Sequence, residues 1–483
     1  MVLIPATWLL ILAGEAPPAG CVRAQEQIGL GTRAADWLPP AEPGSVESAP
    51  YVRPGGAWVL DGFVGNRSLE DVVAYARANN AEIQAARCEA CAMREKVPQE
   101  KSLPDPELMT TVFLVPMQFF DGQQNLTLEL AQHFPWFGKR SLRGQRACQD
   151  AAAAYARSTA TELQVIQRVK RAYFDVYYLG HAAAVTRALQ PRLADVIEIG
   201  RTRYEANAAQ AGLESVLAAQ TELSNLKLRR IELEQMKVEA QARLAAALHL
   251  SPSTRIEAED NLLEGSVAQP VEALVALADS CQPELSARRA EVCRDQTAVD
   301  LARKDYFPDV RLAVDWYQMS KSPINPASVG NDSYSITVGV NLPIYRQRID
   351  AAVREAQFKA AQTGWQYQQA RDQARAEIQA TYAQFVQQDQ ALKIVGGEIL
   401  PRARQAFDLS IDKYRVGRVE FQQLIANYQS LLNAQIDYYN RQTMRAQAVA
   451  TLERAVGCAV ASWSARPEGE PPSRPALGET PPR

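Results

Sequence analysis

Near Leu126 the chain alternates with period two. Leu126, Leu128 and Leu130 share one face, and Thr127, Glu129 and Ala131 share the other. The pattern returns in Val310, Leu312, Val314 and Trp316 against Arg311, Ala313, Asp315 and Tyr317. It returns again in Tyr334, Ile336, Val338, Val340 and Leu342 against Ser335, Thr337, Gly339 and Asn341. One apolar face and one polar or small face predict strands. A fourth segment, residues 108–115, is less regular, with Thr110 and Thr111 interrupting it. Each predicted strand is about 9–11 residues long, enough to cross a bilayer when tilted. The segments between them, residues 116–124 and 319–333, predict long polar hairpin loops suited to an extracellular mouth.

Elsewhere the periodicity is helical. A first helix is predicted over 69–97, with Ser68 as N-cap and Asp71 three residues on, close to a capping box. A counterpart is predicted over 271–306, and Pro104 and Pro308 mark the entries to the strands. The helices after the strands are unusually long. Residues 139–203 are interrupted most strongly at Gly180 and Pro191, and residues 346–413 at Gly364, Gly396, Gly397 and Pro401. Some 65 helical residues span about 100 Å. Val165, Val169, Ala172, Val176 and Leu179 have the spacing of a coiled-coil seam. Shorter returning helices are predicted over 213–248 and 420–456.

These elements occur twice. Residues 68–76 align with 270–278, and without a gap Glu82 falls on Glu284, Arg87 on Arg289, Glu89 on Glu291 and Cys91 on Cys293. Tyr204 finds a counterpart in Tyr414. A tandem duplication means one architectural unit used twice. The chain therefore reads as a first repeat, 68–262, and a second, 263–458. They are flanked by a weak signal segment (1–24), an extended Pro- and Gly-rich arm (25–67) and a disordered Pro-rich tail (459–483). The signal segment offers two processing sites: cleavage after Ala24, or acylation of Cys21 in the degraded lipobox Pro18-Ala19-Gly20-Cys21.

Composition narrows the function. A net charge of -3 gives no basic field for nucleic acid. Seven cysteines in 483 residues are too sparse for a disulfide framework. No apolar run reaches the ~20 residues of a membrane-spanning helix. There is no phosphate-cradling glycine loop, no Gly-x-Ser-x-Gly and no His-Glu-x-x-His, so neither an enzyme nor a cofactor is expected. Cys88 and Cys91 share a helix face but lack the further ligands a zinc site wants, so no metal site is expected. Cys91 and Cys293, at equivalent positions, read more simply as small buried helix contacts. His133 sits on the polar face of its strand.

The strands then set an architectural problem. A sheet with one lipid-like face cannot keep open edges in hydrocarbon, where each unpaired backbone group costs several kcal/mol. Four strands are too few to close, because single-chain barrels begin at about eight. Sharing the barrel among copies resolves this, and three copies give twelve strands. The expected fold is mostly α with a small membrane β part. A duplicated helix–strand–strand–helix–helix unit has long α-helical hairpins that continue a shared twelve-stranded trimeric β-barrel.

That element order, doubled, resembles the TolC-like outer-membrane efflux proteins. His133-Phe134-Pro135-Trp136-Phe137-Gly138-Lys139-Arg140 and Asn341-Leu342-Pro343-Ile344-Tyr345 look like the family's strand-to-helix junctions, turned by Pro135 and Pro343. Tyr414-Arg415-Val416-Gly417-Arg418 and Phe421-Gln422-Gln423-Leu424-Ile425 look like its tip motif. Asn79-Asn80-Ala81-Glu82-Ile83 and Gln282-Pro283-Glu284-Leu285 look like its recurrent Asn-Pro-Glu-Leu segments. The resemblance covers about residues 68–458. It implies a passive homotrimeric duct in the outer-membrane lipid, with its helical tube in the periplasm, docking onto a periplasmic adaptor protein and an inner-membrane pump.

Carried over position by position, the resemblance implies a tip or gate role for Tyr204, Asn207, Glu214 and Ser215 in the first repeat. In the second it implies the same for Tyr414, Gly417, Arg418 and Gln423. Two departures stand out. Gln423 and Ala426 occupy places where the family commonly has Asp, and the first tip carries about two extra residues without the usual Gly after Tyr204. The segment from Phe134 to Lys139 looks more like ducts serving heavy-metal pumps, so metal export is preferred over drug efflux and type I protein secretion. The competing reading is a soluble or peripheral coiled-coil scaffold with its strands folded as a small cap. A periplasmic adaptor would lack the duplication.

Overall fold

A computed structural model describes residues 64–205, 213–260, 264–460 and 462–464. The signal segment with Cys21, and Asn207 of the first tip, lie outside these residues, as do most of the N-terminal arm and the tail. The chain divides into two compact units. One contains residues 88–156 and 285–369, and the other residues 64–87, 157–284 and those from 370 onward.

In the first repeat, strand β1 (Gly65–Arg67) precedes helices α1 (Leu69–Asn79) and α2 (Ala81–Lys101). Strands β2 (Glu107–Phe119) and β3 (Gly122–Phe134) follow, then helices α3 (Lys139–Glu205) and α4 (Leu213–Ala247) and strand β4 (Ile256–Ala258). In the second repeat, β5 (Glu264–Ser266) leads into α5 (Val271–Cys281) and α6 (Pro283–Arg303), then β6 (Val310–Ser320) and β7 (Ser333–Val340). Helix α7 (Arg346–Ile394), a π turn (Val395–Ile399), α8 (Leu400–Arg415), α9 (Phe421–Val456) and β8 (Ser462–Ser464) complete the order.

The helix predicted over 69–97 is broken at Asn80, and its counterpart at Gln282. Asn80 Oδ1 accepts from the amides of Glu82 and Ile83, capping α2, while its Nδ2 donates to the carbonyl of Ala247 at 2.9 Å. In the second repeat Pro283 provides the break, because a proline drives the preceding residue out of the helical region, and Gln282 adopts φ -69, ψ 118. Ser68 caps α1 as expected, accepting from the Asp71 amide at 3.1 Å.

Helix α3 runs unbroken through Pro191 for 67 residues. At 1.5 Å per residue that is ~100 Å. The long second helix does not match it. Five π-helical residues separate α7 from α8. A proline inside a helix collides with the carbonyl four residues back. The widened turn just before Pro401 relieves that collision, and Gly396 leaves room there for the Tyr438 ring.

The second unit's core follows the predicted seam. Val165, Val169 and Val176 of α3 are buried with Leu244 of α4 and Ala446 and Ala450 of α9, and Ala172 and Leu179 pack against them. Farther along α3, Leu189, Leu193 and Val196 bury against Phe407 of α8 and Leu424 and Tyr428 of α9. Two short ladders fasten the chain ends. β1 pairs parallel with β4, and β8 pairs antiparallel with β5, so order extends into the segment expected to be a disordered tail.

The first unit holds a four-stranded antiparallel sheet in the order β2-β3-β6-β7. Its central pairing, β3 with β6, joins the two repeats. The first predicted loop is not a loop. β2 and β3 each run 13 residues and turn over Phe120 and Asp121 alone. Pro116 misled the expectation: it lies at a register irregularity between Val112 and Met117, where the ladder is already interrupted and a missing amide is tolerated. The second loop is long as expected. It packs onto the first turn through Gly330 N to Asp121 O at 2.9 Å and Asn325 Nδ2 to Phe120 O at 2.8 Å.

Candidate functional site

The sheet's register decides which side chains share a face. Leu108 pairs with Leu130, Leu130 with Val314, and Val314 with Ile336. Leu128 pairs with Trp316 and Trp316 with Tyr334, while Leu312 pairs with Val338 and Val310 with Val340. One face is therefore almost wholly apolar, and among the described residues nothing covers it. Tyr334, Ile336 and Val338 are 76%, 74% and 66% exposed. The residues beyond β7, Leu342, Ile344 and Tyr345, are also exposed.

The opposite face is polar and internally bonded. Asp315, 5% exposed, accepts from Ser335 Oγ at 2.8 Å and Thr337 Oγ1 at 2.9 Å. Arg311 pairs with Glu129 across β6 and β3, and Ala131 and Ala313 are buried between them. His133 sits opposite Arg311 on this face. A strand set of soluble type would turn its apolar face inward and its polar face out. Here the greasy face is bare and the polar face carries the hydrogen bonds.

At the base of the sheet the two junction prolines occupy irregular backbone. Pro135 follows β3 immediately, and Pro343 lies three residues past β7 and three before α7. The acidic residues that anchor this junction, Asp305 and Asp309, escaped the sequence reading. Lys139, the first residue of α3, is 4% exposed, and its Nζ lies 3.0 and 3.1 Å from the two Asp309 oxygens and 3.2 Å from Asp305 Oδ1. The same Asp309 accepts from the Trp136 amide at 2.7 Å, and the Trp136 ring stacks on Phe307 at 5.4 Å. Gly138, at φ +86, makes the turn that brings Lys139 under the strand. Both halves of the repeat thus meet at one buried ammonium.

At the far end of the long helices, α8 closes in a Schellman motif. Gly417, φ +76, donates to the Tyr414 carbonyl at 3.1 Å, and Arg418 N donates to the Lys413 carbonyl at 2.8 Å. Tyr414 is buried, with its ring 5.9 Å from Phe421 and its hydroxyl pKa pushed up by burial. The group that meets it from the first repeat is Arg203, next to the Tyr204 singled out from sequence. The Arg203 guanidinium lies 4.8 Å over the Tyr414 ring and donates to the Tyr414 carbonyl at 2.7 Å. Gly200 leaves room for the Tyr414 hydroxyl, because a Cβ there would lie 3.3 Å from it.

Of the other residues expected at the tip, Tyr204 and Glu214 are exposed and Ser215 is half-buried. Gln423 joins a short polar ladder between α9 and α8. Its Nε2 donates to Asn427 Oδ1 at 3.2 Å, and Asn427 Nδ2 donates to Ser410 Oγ. The structure thus brings Tyr414 and Gly417 together with Arg203, and Gln423 with Asn427 and Ser410, whereas Tyr204, Glu214 and Ser215 stand outside these contacts. Arg203 had one sequence signal, its place one residue before the repeat tyrosine, and Asn427 and Ser410 had none.

Among the described residues no cluster of three or more His, Cys, Asp or Glu side chains could hold a metal ion. Cys88 and Cys91 are exposed and Cys293 is buried, so the shared burial expected of Cys91 and Cys293 holds only for Cys293. No helix among the described residues is long and apolar enough to cross a membrane.

Residues 274–458 match the family described as Outer membrane efflux protein. The cobalt-zinc-cadmium resistance protein CzcC of Cupriavidus metallidurans is 23% identical over 400 residues, covering 81% of this chain and 90% of that protein. The outer membrane protein VceC of Vibrio cholerae superposes with a TM-score of 0.67 at 20% identity, covering 81% of this chain and 96% of that one. CusC superposes with a TM-score of 0.70 at 13% identity, covering 84% and 96%. These structures share the arrangement of long helices and a small sheet found here.

Proposed function

We propose, from the premise that this chain belongs to the TolC-like outer-membrane efflux proteins and is the passive outer-membrane channel of a tripartite pump, that three copies close one barrel and that its cargo is metal cations. The observation that carries the assembly is the sheet. Its apolar face is bare, its polar face is hydrogen-bonded, and the outer edges of β2 and β7 carry no strand among the described residues. An open edge in hydrocarbon is too costly to persist. Four strands from each of three copies bring the ring to twelve, within the range of closed barrels. β2 of one copy then pairs with β7 of the next.

In this reading the repeats, 68–262 and 263–458, supply one hairpin each to the barrel and one long helical pair each to a periplasmic tube. The tip residues, Tyr414, Gly417, Arg418 and Gln423 with Tyr204, Asn207, Glu214 and Ser215, face the periplasmic adaptor or narrow the closed end. Pro135 and Pro343 turn barrel into tube. Metal cargo is supported by the name of the relative that covers most of the chain, a cobalt-zinc-cadmium resistance protein, and by the Phe134–Lys139 junction segment.

Membrane fractionation with chemical crosslinking tests the assembly. A trimer in the outer-membrane pellet is expected, and a soluble monomer defeats the reading. For the cargo, a strain lacking the gene is expected to lose tolerance to cobalt, zinc or cadmium. Unchanged metal tolerance with new sensitivity to organic drugs overturns the metal preference and leaves the duct intact.

A further inference from the structure

We propose that Cys281 and Cys458 form a disulfide bond in the exported protein, closing the end of α9 onto the end of α5. Cys281 is the last residue of α5, and Cys458 follows Gly457, the C-cap of α9. The two backbones touch there. A Cβ on Gly457 would lie 2.6 Å from the Cα of Gln282 and 2.8 Å from the carbonyl oxygen of Cys281. Only glycine, here at φ +90, permits that approach. The flanking segments are also fastened, because β8, just beyond Cys458, pairs with β5, just before α5.

The side chains complete the picture. Cys458 packs against the cluster of Leu274, Ala278, Leu452, Ala455 and Val456. Burial, and then a hydrogen bond with Cys281, push the Cys458 thiol up to about 12. Both cysteines are half-buried rather than sealed. A disulfide needs Cα atoms about 4.4–6.8 Å apart and correctly aimed Cβ atoms. Thiols already in hydrogen-bond contact across touching backbones need little movement to meet that geometry.

The oxidant is a protein or small-molecule disulfide of an oxidising compartment, where such bonds form and persist. The Cys281 thiol loses its proton and its sulfur attacks the oxidant. One bond forms between Cys281 Sγ and an oxidant sulfur, the oxidant's S–S bond breaks, and the released thiolate takes up a proton. Engaged in the mixed disulfide, Cys281 no longer holds the Cys458 proton. The Cys458 thiolate then attacks Cys281 Sγ and expels the second oxidant sulfur as a thiol. Two thiols are oxidised and one disulfide is reduced. Only the compartment depends on the exported-duct reading, since the geometry belongs to the chain itself.

Free thiols are alkylated in intact cells and during lysis, and the outer-membrane protein is digested without reductant. The expected product is a peptide pair joining Cys281 to Cys458, lighter by two hydrogens than its reduced sum and lost on treatment with dithiothreitol. The exposed Cys88 and Cys91 carry the alkyl label. Both Cys281 and Cys458 alkylated in protein from the outer-membrane pellet overturns the proposal, whereas protein absent from that pellet counts against the exported-duct reading instead. In parallel, purified folded protein is equilibrated in oxidised glutathione, and failure to bridge there overturns the geometry whatever the compartment. Dithiothreitol is expected to lower the melting temperature of the wild type by roughly 5 °C. Cys458→Ser is expected to start at the lower value and not respond, and an equal response in the two proteins overturns the assignment.

Discussion

Single side chains hold this protein at a few points of high leverage. Lys139 starts a helix and at the same time neutralises Asp305 and Asp309, which follow the partner helix of the other repeat. Its ammonium is buried while the carboxylates remain partly solvated, so removing it leaves charges that water can still reach. Lys139→Met is therefore expected to cost about 1–3 kcal/mol rather than abolish folding, measured as the loss of thermal stability of the detergent-purified protein. Asp279 gives a pH-dependent counterpart. Hydrogen bonds from Arg371, at 3.0 and 2.8 Å, and the charge of nearby Arg375 hold its carboxyl below the usual value. A depressed carboxylate stabilises the fold above the ordinary aspartate pKa of about 3.9, and that contribution disappears as pH falls through the lowered value. The melting temperature of the wild type should accordingly fall more steeply below about pH 4 than that of Asp279→Asn. Parallel curves would remove Asp279 from the acid response.

At the scale of elements, the turn from α8 to α9 joins a left-handed glycine to a cation stacked over a buried ring. Gly417→Ala forces a side chain into a conformation costing about 1–2 kcal/mol and places its methyl 3.1 Å from an Arg203 guanidinium nitrogen. The guanidinium can move, so the expected result is a folded protein with a loosened tip. Under the gate role proposed for this turn, the assembled duct should show a larger conductance in planar bilayers and greater entry of a bulky hydrophilic antibiotic. Arg203→Lys keeps the charge but loses the flat stacking and the guanidinium fork, and it should shift both readouts in the same direction. Unaltered conductance in both variants would mean that this contact only stabilises the turn. The broken helices at Asn80 and Gln282 follow the same logic: a single capping or proline-bound residue ends an otherwise continuous periodic segment, and for Asn80 a distant partner, the Ala247 carbonyl, anchors the break.

For the whole molecule, the two faces of the sheet make opposite predictions. Ile336→Arg places a charge on the bare apolar face and should cost about 2–4 kcal/mol in a bilayer, seen as loss of outer-membrane trimer. Thr111→Lys, on the polar face beside Thr127 and Tyr317, should assemble normally. Equal assembly of the two variants would refute the lipid-facing assignment. Much of this was legible in the sequence. Strict alternation assigns each strand residue to a face whatever its neighbours, because the pleat has a period of two. Likewise, the long stretches of helix-forming residues and the repeated spacing predict long helices in two copies. The first hairpin was misread because Pro116 breaks a regular ladder but not one already shifted in register, and register depends on the paired strand. What only the tertiary structure decided were the meetings of residues far apart in the chain: β3 with β6, Lys139 with Asp309, Arg203 with Tyr414, Asn80 with Ala247 and Cys281 with Cys458. Periodicity is a local property carried by every few residues. Such pairings depend on where whole elements come to rest against one another, and no local pattern encodes that.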